Sequence, residues 1–309
     1  MSFELTILGT SSATPTLERH PSAQILGFQQ NLFLIDCGEG TQLQMIRYGV
    51  RAHKIERIFI SHLHPDHCAG LIGLLSTMNL NRRGPELHIY APPRLREMID
   101  AEFSCSEITM MYPIIYHNLE FDSIRTIFED ETITIKSIPL EHRISCCGFW
   151  FIEKKSAWKI DKTKIEGKEI PAPAYNILKQ GHDFIAEDGQ VLNYKELTKP
   201  NVKPSSYVYI SDTIYLENIA KQLEDVDVLY HEATFLDDLK DKAISTYHTT
   251  AKEAAQFAAI ANVKRLILGH FSARYNDLTP FLTEAHAIFL ETILAEEGKS
   301  YLIENKEED

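Results

Sequence analysis

The sequence predicts an α/β fold, and three features of the chain point to it. Short runs rich in β-branched and aromatic residues alternate with segments whose apolar residues recur at helical spacing. Several of these runs end in histidine or aspartate, as they do where an α/β sheet gathers a site at the carboxyl ends of its strands. One stretch, about 153–204, breaks the alternation with Pro171, Pro173, Pro200 and Pro204, several glycines and few sustained apolar runs, and reads as an arm inserted outside the core. At 309 residues, the chain suits one large domain spanning 1–309 and carrying that arm.

Taken in order, FELTIL runs into Gly9, and AQILGF and NLFLID flank a polar Gln-Gln pair, which makes three strands. A helix is expected to start within DCGEGTQLQMI. ERIFIS is a further strand, and SHLHPDHCAGLIGLLSTMNL passes from a loop into one helix on which Leu71, Leu74, Leu75 and Met78 share a face. In the second half TITIKSIPL precedes His142, YVYI leads to Ser211-Asp212-Thr213, VDVLY to His231 and RLILG to His270. Another helix is expected near AKEAAQFAAI. The tail ENKEED reads as a solvated terminus, and residue identity shows no internal repeat.

Composition excludes several classes. With 44% hydrophobic and 24% charged residues the chain is ordinary globular material, and no stretch approaches the roughly eighteen apolar residues of a membrane span. The start, MSFELTILGTSSATP, lacks the basic region, apolar run and cleavage site of a secretory signal, so a cytoplasmic location is expected. Five cysteines without a C-x-x-C pair argue against a disulfide framework and against a thiolate zinc ribbon. A net charge of −13 counts against binding a polyanion. The segment 154–168 runs the other way, with Lys154, Lys155, Lys159, Lys162, Lys164 and Lys168 against Asp161 and Glu166. Such an island suits phosphate contacts that weaken with salt, although a plain solvated lysine face has the same composition.

The densest chemistry is His62-x-His64-x-Asp66-His67. Crowded imidazoles and carboxylates lose hydration and rotamer freedom, and a divalent cation compensates by taking neutral nitrogen and anionic oxygen together. Nitrogen and oxygen ligands without thiolate favour zinc, with manganese or iron as alternatives. The competing reading is a surface loop that happens to be histidine-rich. Six residues cannot complete two coordination shells, so further ligands must come from other strand ends, where His142, Asp212 and His270 are the candidates.

Through His62, His64, Asp66 and His67 and the ordered later residues His142, Asp212 and His270, the chain resembles the metallo-β-lactamase superfamily. That resemblance implies a four-layer αβ/βα sandwich with two zinc ions per subunit. One zinc would take His62, His64 and His142, the other Asp66, His67 and His270, with Asp212 bridging. LGTSSATP, DCGEGTQLQ, SHLHPDHCAGLIGLL, SDT at 211–213, His231-Glu232-Ala233-Thr234, His248-Thr249 and GHFSARY at 269–275 narrow the likeness to the ribonuclease Z family of tRNA 3′-processing endonucleases. The family implies precursor tRNA as substrate and water attack on a phosphodiester that leaves a 3′-hydroxyl. It implies that His248 and Glu232 assist proton transfer to the leaving oxygen while Asp66 positions or deprotonates the water. It also implies a homodimer in which an arm grips tRNA, and IPAPAYNILKQG at 170–181 is similar to the family's arm segment, with Ala172-Pro173-Ala174 where a Gly-Pro step is expected.

Chemistry supports the His248 assignment, because a ribose alkoxide leaves poorly unless protonated or metal-bound, and a histidine oriented by a carboxylate can supply that proton. The competing role is a cap for the helix at AKEAAQFAAI, a task Thr249 or Thr250 can also fill. His231 is read as a residue that orients its loop; His20, His53, His88, His117, His182 and His286 receive no role. Two rival functions stay open: a zinc hydrolase of a small ester or phosphodiester, and an RNA-binding subunit without catalysis.

Overall fold

The computed structural model describes residues 3–155, 157–201 and 203–303, and the tail ENKEED lies outside them. β1 (Phe3–Gly9), β2 (Ala23–Phe28) and β3 (Asn31–Cys37) form an antiparallel meander, and α1 (Thr41–Arg47) carries the chain to β4 (Ile55–Phe59). Two short helices, α2 (Pro65–Cys68) and α3 (Leu71–Leu80), lead to β5 (Leu87–Ala91), and α4 (Arg94–Cys105) leads to β6 (Ile114–Asn118). β7 (Arg125–Glu129), β8 (Ile133–Leu140) and β9 (Cys146–Glu153) then make a second meander.

The arm follows as β10 (Trp158–Ile160), α5 (Lys162–Ile165), α6 (Ala172–Lys179), β11 (Phe184–Ile185), β12 (Val191–Leu192), α7 (Tyr194–Leu197) and β13 (Thr198–Pro200). The chain resumes with β14 (Ser206–Ile210), α8 (Glu217–Ala220), β15 (Val228–Glu232), α9 (Lys240–Thr246), α10 (Ala251–Ile260), β16 (Arg265–Gly269), α11 (Thr279–His286) and β17 (Thr292–Leu294). β18 (Ser300–Leu302) returns to pair with β1.

Two seven-stranded sheets result, in the orders β18-β1-β2-β3-β4-β5-β6 and β17-β16-β15-β14-β9-β8-β7. In each, an antiparallel half gives way to a parallel half: β3 to β6 run parallel in one sheet, β14 to β17 in the other. The central strands, such as β14 and β15, are buried on both faces, which is why they read as unbroken apolar runs. Successive residues serve different cores. Phe33 and Ile35 of β3 join Phe59, Phe149, Tyr207 and Tyr209 between the sheets, whereas Leu34 faces Leu71, Leu74 and Ile99 of the helices. On the far side Val208, Leu229 and Leu268 pack on Ala254, Phe257 and Phe281. Helices therefore cover both outer faces, and the predicted four-layer sandwich is what forms.

Two features add to the sequence reading. The helix expected to carry Leu71, Leu74, Leu75 and Met78 is α3, and the short α2, which ends at Cys68, precedes it. The Gly70 N–H donates to the Cys37 carbonyl at 2.9 Å, and a Cβ at Gly70 would run into the Gly38 carbonyl oxygen. This backbone approach docks the histidine loop on the end of β3, which apolar periodicity does not report. The arm, expected outside the main core, has a small core of its own: Ala174, Leu178, Leu192 and Leu197 are buried together, with Ile160, Ile165, Ile170, Phe184 and Tyr194 against them. Its ends are adjacent, since the Glu153 N–H donates to the Ser205 carbonyl at 2.9 Å.

Gly70→Ala is expected to destabilise the chain by about 1–3 kcal/mol through overpacking against Gly38, read as a lower urea midpoint with an unchanged slope. An unaltered midpoint would mean that the contact gives way without strain.

Candidate metal centre

The site lies on the rim where strands end. β3 contributes Asp36, the loop after β4 and the start of α2 contribute His62, His64, Asp66 and His67, and residues just beyond β8, β14 and β16 contribute His142, Asp212 and His270. Asp36, Asp212 and His270 have φ of 55°, 53° and 58°, the left-handed region in which Asp and His are enriched among non-glycine residues. Each is a sharp departure from its strand that keeps the side chain on the rim.

Outer hydrogen bonds decide where the imidazole protons sit. The Tyr247 carbonyl can only accept, so His142 donates from Nδ1 at 3.1 Å and presents a bare Nε2. Ser61 Oγ donates to Asp36 Oδ2 at 2.9 Å, so it accepts from His62 Nδ1 at 3.0 Å and leaves the Nε2 of that ring bare as well. Both Nε2 atoms face His64 Nδ1, at 3.0 Å from His62 and 3.1 Å from His142. A proton on His64 can satisfy one of them at most. Burial pushes all three imidazoles below their ordinary pKa, so neutral lone pairs meet at one point. A cation relieves that crowding.

The second group is built the same way. His67 donates from Nδ1 to Asp36 Oδ2 at 2.7 Å and turns Nε2 toward Asp212 Oδ2 at 2.8 Å and Asp66 Oδ2 at 3.4 Å. Thr234 Oγ1 donates to Glu232 Oε2 at 2.6 Å, so it accepts from His270 Nδ1 at 2.9 Å. His270 Nε2 then faces Asp212 Oδ2 at 3.2 Å, Asp66 Oδ2 at 3.6 Å and His67 Nε2 at 3.4 Å. The other oxygen of Asp212 lies 3.8 Å from His142 Nε2, so this one carboxylate touches both groups. Burial pulls the His67 pKa down, but the charges of Asp212, Asp36 and Asp66 outweigh it and hold the pKa well above the ordinary value. Burial also works against ionised Asp66 and Asp212, yet the charge of His67 with a hydrogen bond from His270 keeps Asp66, and the charges of the surrounding histidines keep Asp212, below the usual carboxylate range. The proton on His67 Nε2 lies toward Asp212 and Asp66, where a divalent cation would stand in for it.

His62, His64 and His142 form one donor set and Asp66, His67 and His270 another, the donor atoms of each lying within 4.8 Å of one another. His248 falls in a further set with Asp212 and His270, but its Nδ1 is committed to Glu232 Oε1 at 3.0 Å. Burial lowers the His248 pKa, and the charge and hydrogen bond of Glu232 with the charges of Asp212 and Asp66 raise it further, to about 9. Glu232 itself is fully buried and accepts from the Thr213 and Thr234 N–H groups as well. His248 does not cap α10. Thr250 does, in a reciprocal pair with Glu253.

The sequence-predicted site residues thus divide. All seven metal candidates and the pair His248 and Glu232 converge, and a cleft of about 580 Å³ opens on His64, Asp66, His142, Asp212, His248 and His270. His231 is apart from them: it donates to the Glu232 carbonyl at 2.8 Å and packs on Phe257. Of the lysines, Lys154 pairs with Glu129 and Lys155 with Glu153 at the end of β9, whereas Lys159, Lys162, Lys164 and Lys168 lie on the arm, with Lys162, Lys164 and Lys168 exposed. Sequence reasoning missed Asp36, Ser61 and Thr234, which set the imidazole protons. The available signal was an aspartate closing the apolar run NLFLI, a costly place for a carboxylate without donors.

A family model described as "Anti-Pycsar protein Apyc1" matches residues 3–162, the half that holds the His62–His67 loop. Ribonuclease Z of Bacteroides fragilis is 43% identical over 296 residues, 96% of this chain and 97% of that one. The chain belongs to the ribonuclease Z family. It also belongs, through residues 3–162, to the Apyc1 family, but that match ends before Asp212, Glu232, His248 and His270. Among solved structures, human tRNase Z, short form, superposes with a TM-score of 0.73 at 28% identity, covering 98% of this chain and 100% of that one. The metallo-β-lactamase fold protein YhfI from Bacillus subtilis superposes with a TM-score of 0.68 at 18% identity, covering 98% of this chain, and bears on the fold alone. In the ribonuclease Z frame, the late strand ends that complete the cluster lie within the full-length kinship.

Asp36→Asn replaces an oxygen that accepts from His67, Ser61 and Tyr209 with an amide or leaves the opposite oxygen to do so. Affinity for zinc is expected to fall about 10–100-fold, measured by competition with a chromophoric chelator; unchanged affinity would remove Asp36 from the support of the centre.

Proposed function

We propose that this chain is a metal-dependent endoribonuclease that removes the 3′ trailer from precursor tRNA and leaves a 3′-hydroxyl on the tRNA. The observation that carries the proposal is full-length kinship with ribonuclease Z joined to a rim cluster of neutral imidazoles and ionised carboxylates. His62, His64 and His142 would hold one zinc ion, and Asp66, His67 and His270 a second, with Asp212 between them. When bound, such ions lower the pKa of a water molecule and neutralise charge on the attacked and leaving oxygens.

The chain's own groups do the rest. Asp66, ionised and facing the cleft, orients the attacking water. His248 donates a proton to the leaving 3′ oxygen, while Glu232 holds the imidazole by its Nδ1 and stabilises the protonated form. Saturated by backbone and hydroxyl donors, Glu232 has no freedom to turn away.

The same reading extends to organisation. Residues 1–309 form one domain with an arm at about 153–204, and Lys159, Lys162, Lys164 and Lys168 contact tRNA phosphates, with Lys154 and Lys155 nearer the sandwich. The chain works as a cytoplasmic homodimer. A partner surface is available on α1 and α3, which Gln42 and Thr77 tie together and which expose Leu43 (68%), Ile46 (70%) and Leu80 (82%). No helix among the described residues is long and apolar enough to cross a membrane.

Cleavage of a precursor tRNA transcript is the direct test. The intact chain is expected to cut at the 3′ side of the acceptor stem, and His64→Ala or a chelator is expected to abolish turnover. Deleting the arm and joining 153 to 205 by a short turn is expected to abolish tRNA cleavage while hydrolysis of a small chromogenic phosphodiester persists. Intact protein that hydrolyses only the small diester would favour the small-molecule hydrolase instead.

Titration tests the acid. In metal-free protein the His248 imidazole is expected to titrate near pH 9 by NMR, and Glu232→Gln should bring it down by removing the largest favourable charge. A folded pKa above the unfolded value near 6.5 means that this pair stabilises the fold fully below about pH 6.5 and that the contribution is lost as pH rises through 9. A titration near 6 in the unsubstituted protein would overturn the assignment.

A further inference from the structure

The Glu297 carboxylate sits in the turn between β17 and β18, far in sequence from every residue of the metal centre, and is 9% exposed. Five donors from three segments reach it. Thr10 donates from its backbone N–H and its hydroxyl to Oε1, both at 3.2 Å. His20 donates from its N–H to Oε1 at 2.7 Å and from Nδ1 to Oε2 at 2.8 Å. Gln44 of α1 donates to Oε2 at 2.8 Å. A surface turn needs no such arrangement, and ordering this many donors around one carboxylate is a commitment of chain entropy.

The residues gathered by Glu297 hold the loop that carries His270. The Phe271 N–H donates to the Thr10 carbonyl at 2.8 Å, and the Ser12 N–H donates to the Phe271 carbonyl at 3.1 Å. Arg19, next to His20, donates from its guanidinium to the Ser272 carbonyl at 3.2 Å and the Tyr275 carbonyl at 2.8 Å. His270 has φ of 58°, a left-handed conformation that persists only where neighbouring structure imposes it. Its C-terminal neighbour is pinned by Thr10, and Thr10 is pinned by Glu297. The same two loops supply Ser12, Ala13, Thr14, Ser272 and Arg274 to the cleft wall.

We propose that Glu297 is a positioning residue for the reaction: through Thr10 and Arg19 it fixes the 10–20 and 271–275 loops, and so fixes His270 and one wall of the substrate cleft. This rests on the reading of the rim cluster as a metal centre, though the loop linkage stands on hydrogen bonds alone. Hydrogen bonds to an ionised acceptor are the stronger kind, so loosening them at Glu297 should be felt at both loops.

Glu297→Gln is the test, because it keeps the shape while setting an amide against donors. Hydrogen–deuterium exchange is expected to rise in peptides covering 10–20 and 270–275 and to stay unchanged in β4, β5 and α10. The zinc concentration for half-saturation is expected to rise roughly tenfold, and the KM for precursor tRNA more than kcat falls. Glu297→Asp is expected to recover part of both. Arg19→Met, which leaves the carboxylate in place, should loosen 270–275 without loosening His20, and it serves if Glu297→Gln does not fold. Exchange confined to 296–300 and 42–48, or unchanged zinc affinity with loosened loops, would overturn the proposal. If the unsubstituted protein binds zinc but does not cleave precursor tRNA, the assigned substrate fails while the exchange and zinc measurements still decide the role of Glu297.

Discussion

Asp212 is the constraint on which the rest of the rim depends. It is a carboxylate 2% exposed to solvent, and a buried charge is tolerated only when positive or donating groups surround it. One of its oxygens faces His67 and His270, and the other faces His142 and His248. Those partners come from α2 after β4, from just beyond β8 and β16 and from the link between α9 and α10, so satisfying one charge requires both sheets to present their ends at one place. Packing of Phe33, Phe59, Phe149 and Tyr209 between the sheets is what keeps those ends in register.

The two halves of the chain solve this with the same plan. Each sheet runs from an antiparallel meander into four parallel strands, and at the first parallel strand of each an aspartate turns into the left-handed region, Asp36 at the end of β3 and Asp212 after β14. Their environments then diverge. Asp36 is enclosed by Ser61, His67 and Tyr209 donors and orients an imidazole, whereas Asp212 has its oxygens among ring nitrogens at the cleft. The duplication of topology is invisible to residue identity because a strand buried on both faces accepts any apolar residue of suitable volume.

What was legible in the sequence follows from that difference. The ligand candidates were readable because polar residues that end apolar runs are costly, and their chain order matched a known family. His248 was readable as an acid for the same chemical reason. Asp36 within DCGEGTQLQ carries no distinguishing mark, since one acidic residue at a strand end looks alike whether it meets metal, substrate or a second histidine. Thr234 and Ser61 carry no charge at all, and their part is visible only once donor directions can be followed around Glu232 and Asp36. The break between α2 and α3 escaped periodicity because it arises from Gly70 meeting Gly38, two backbones separated by more than thirty residues of chain. The core of the arm escaped because Leu178, Leu192 and Leu197 are too widely spaced to form a run.

The charge balance takes on meaning when centre and arm are considered together. A chain of net −13 repels a polyanion over most of its surface. Local positive charge is present on the exposed lysines of the arm, and cations held by the imidazoles and carboxylates of the rim would add it there. A short oligonucleotide can reach one such place only and meets the acidic body for the rest of its length. A folded RNA whose body reaches the arm while its 3′ end reaches the rim gains both contacts at once, the second at the effective concentration set by the first. Under the proposed function, selectivity for a substrate of tRNA dimensions would follow from where the charge lies.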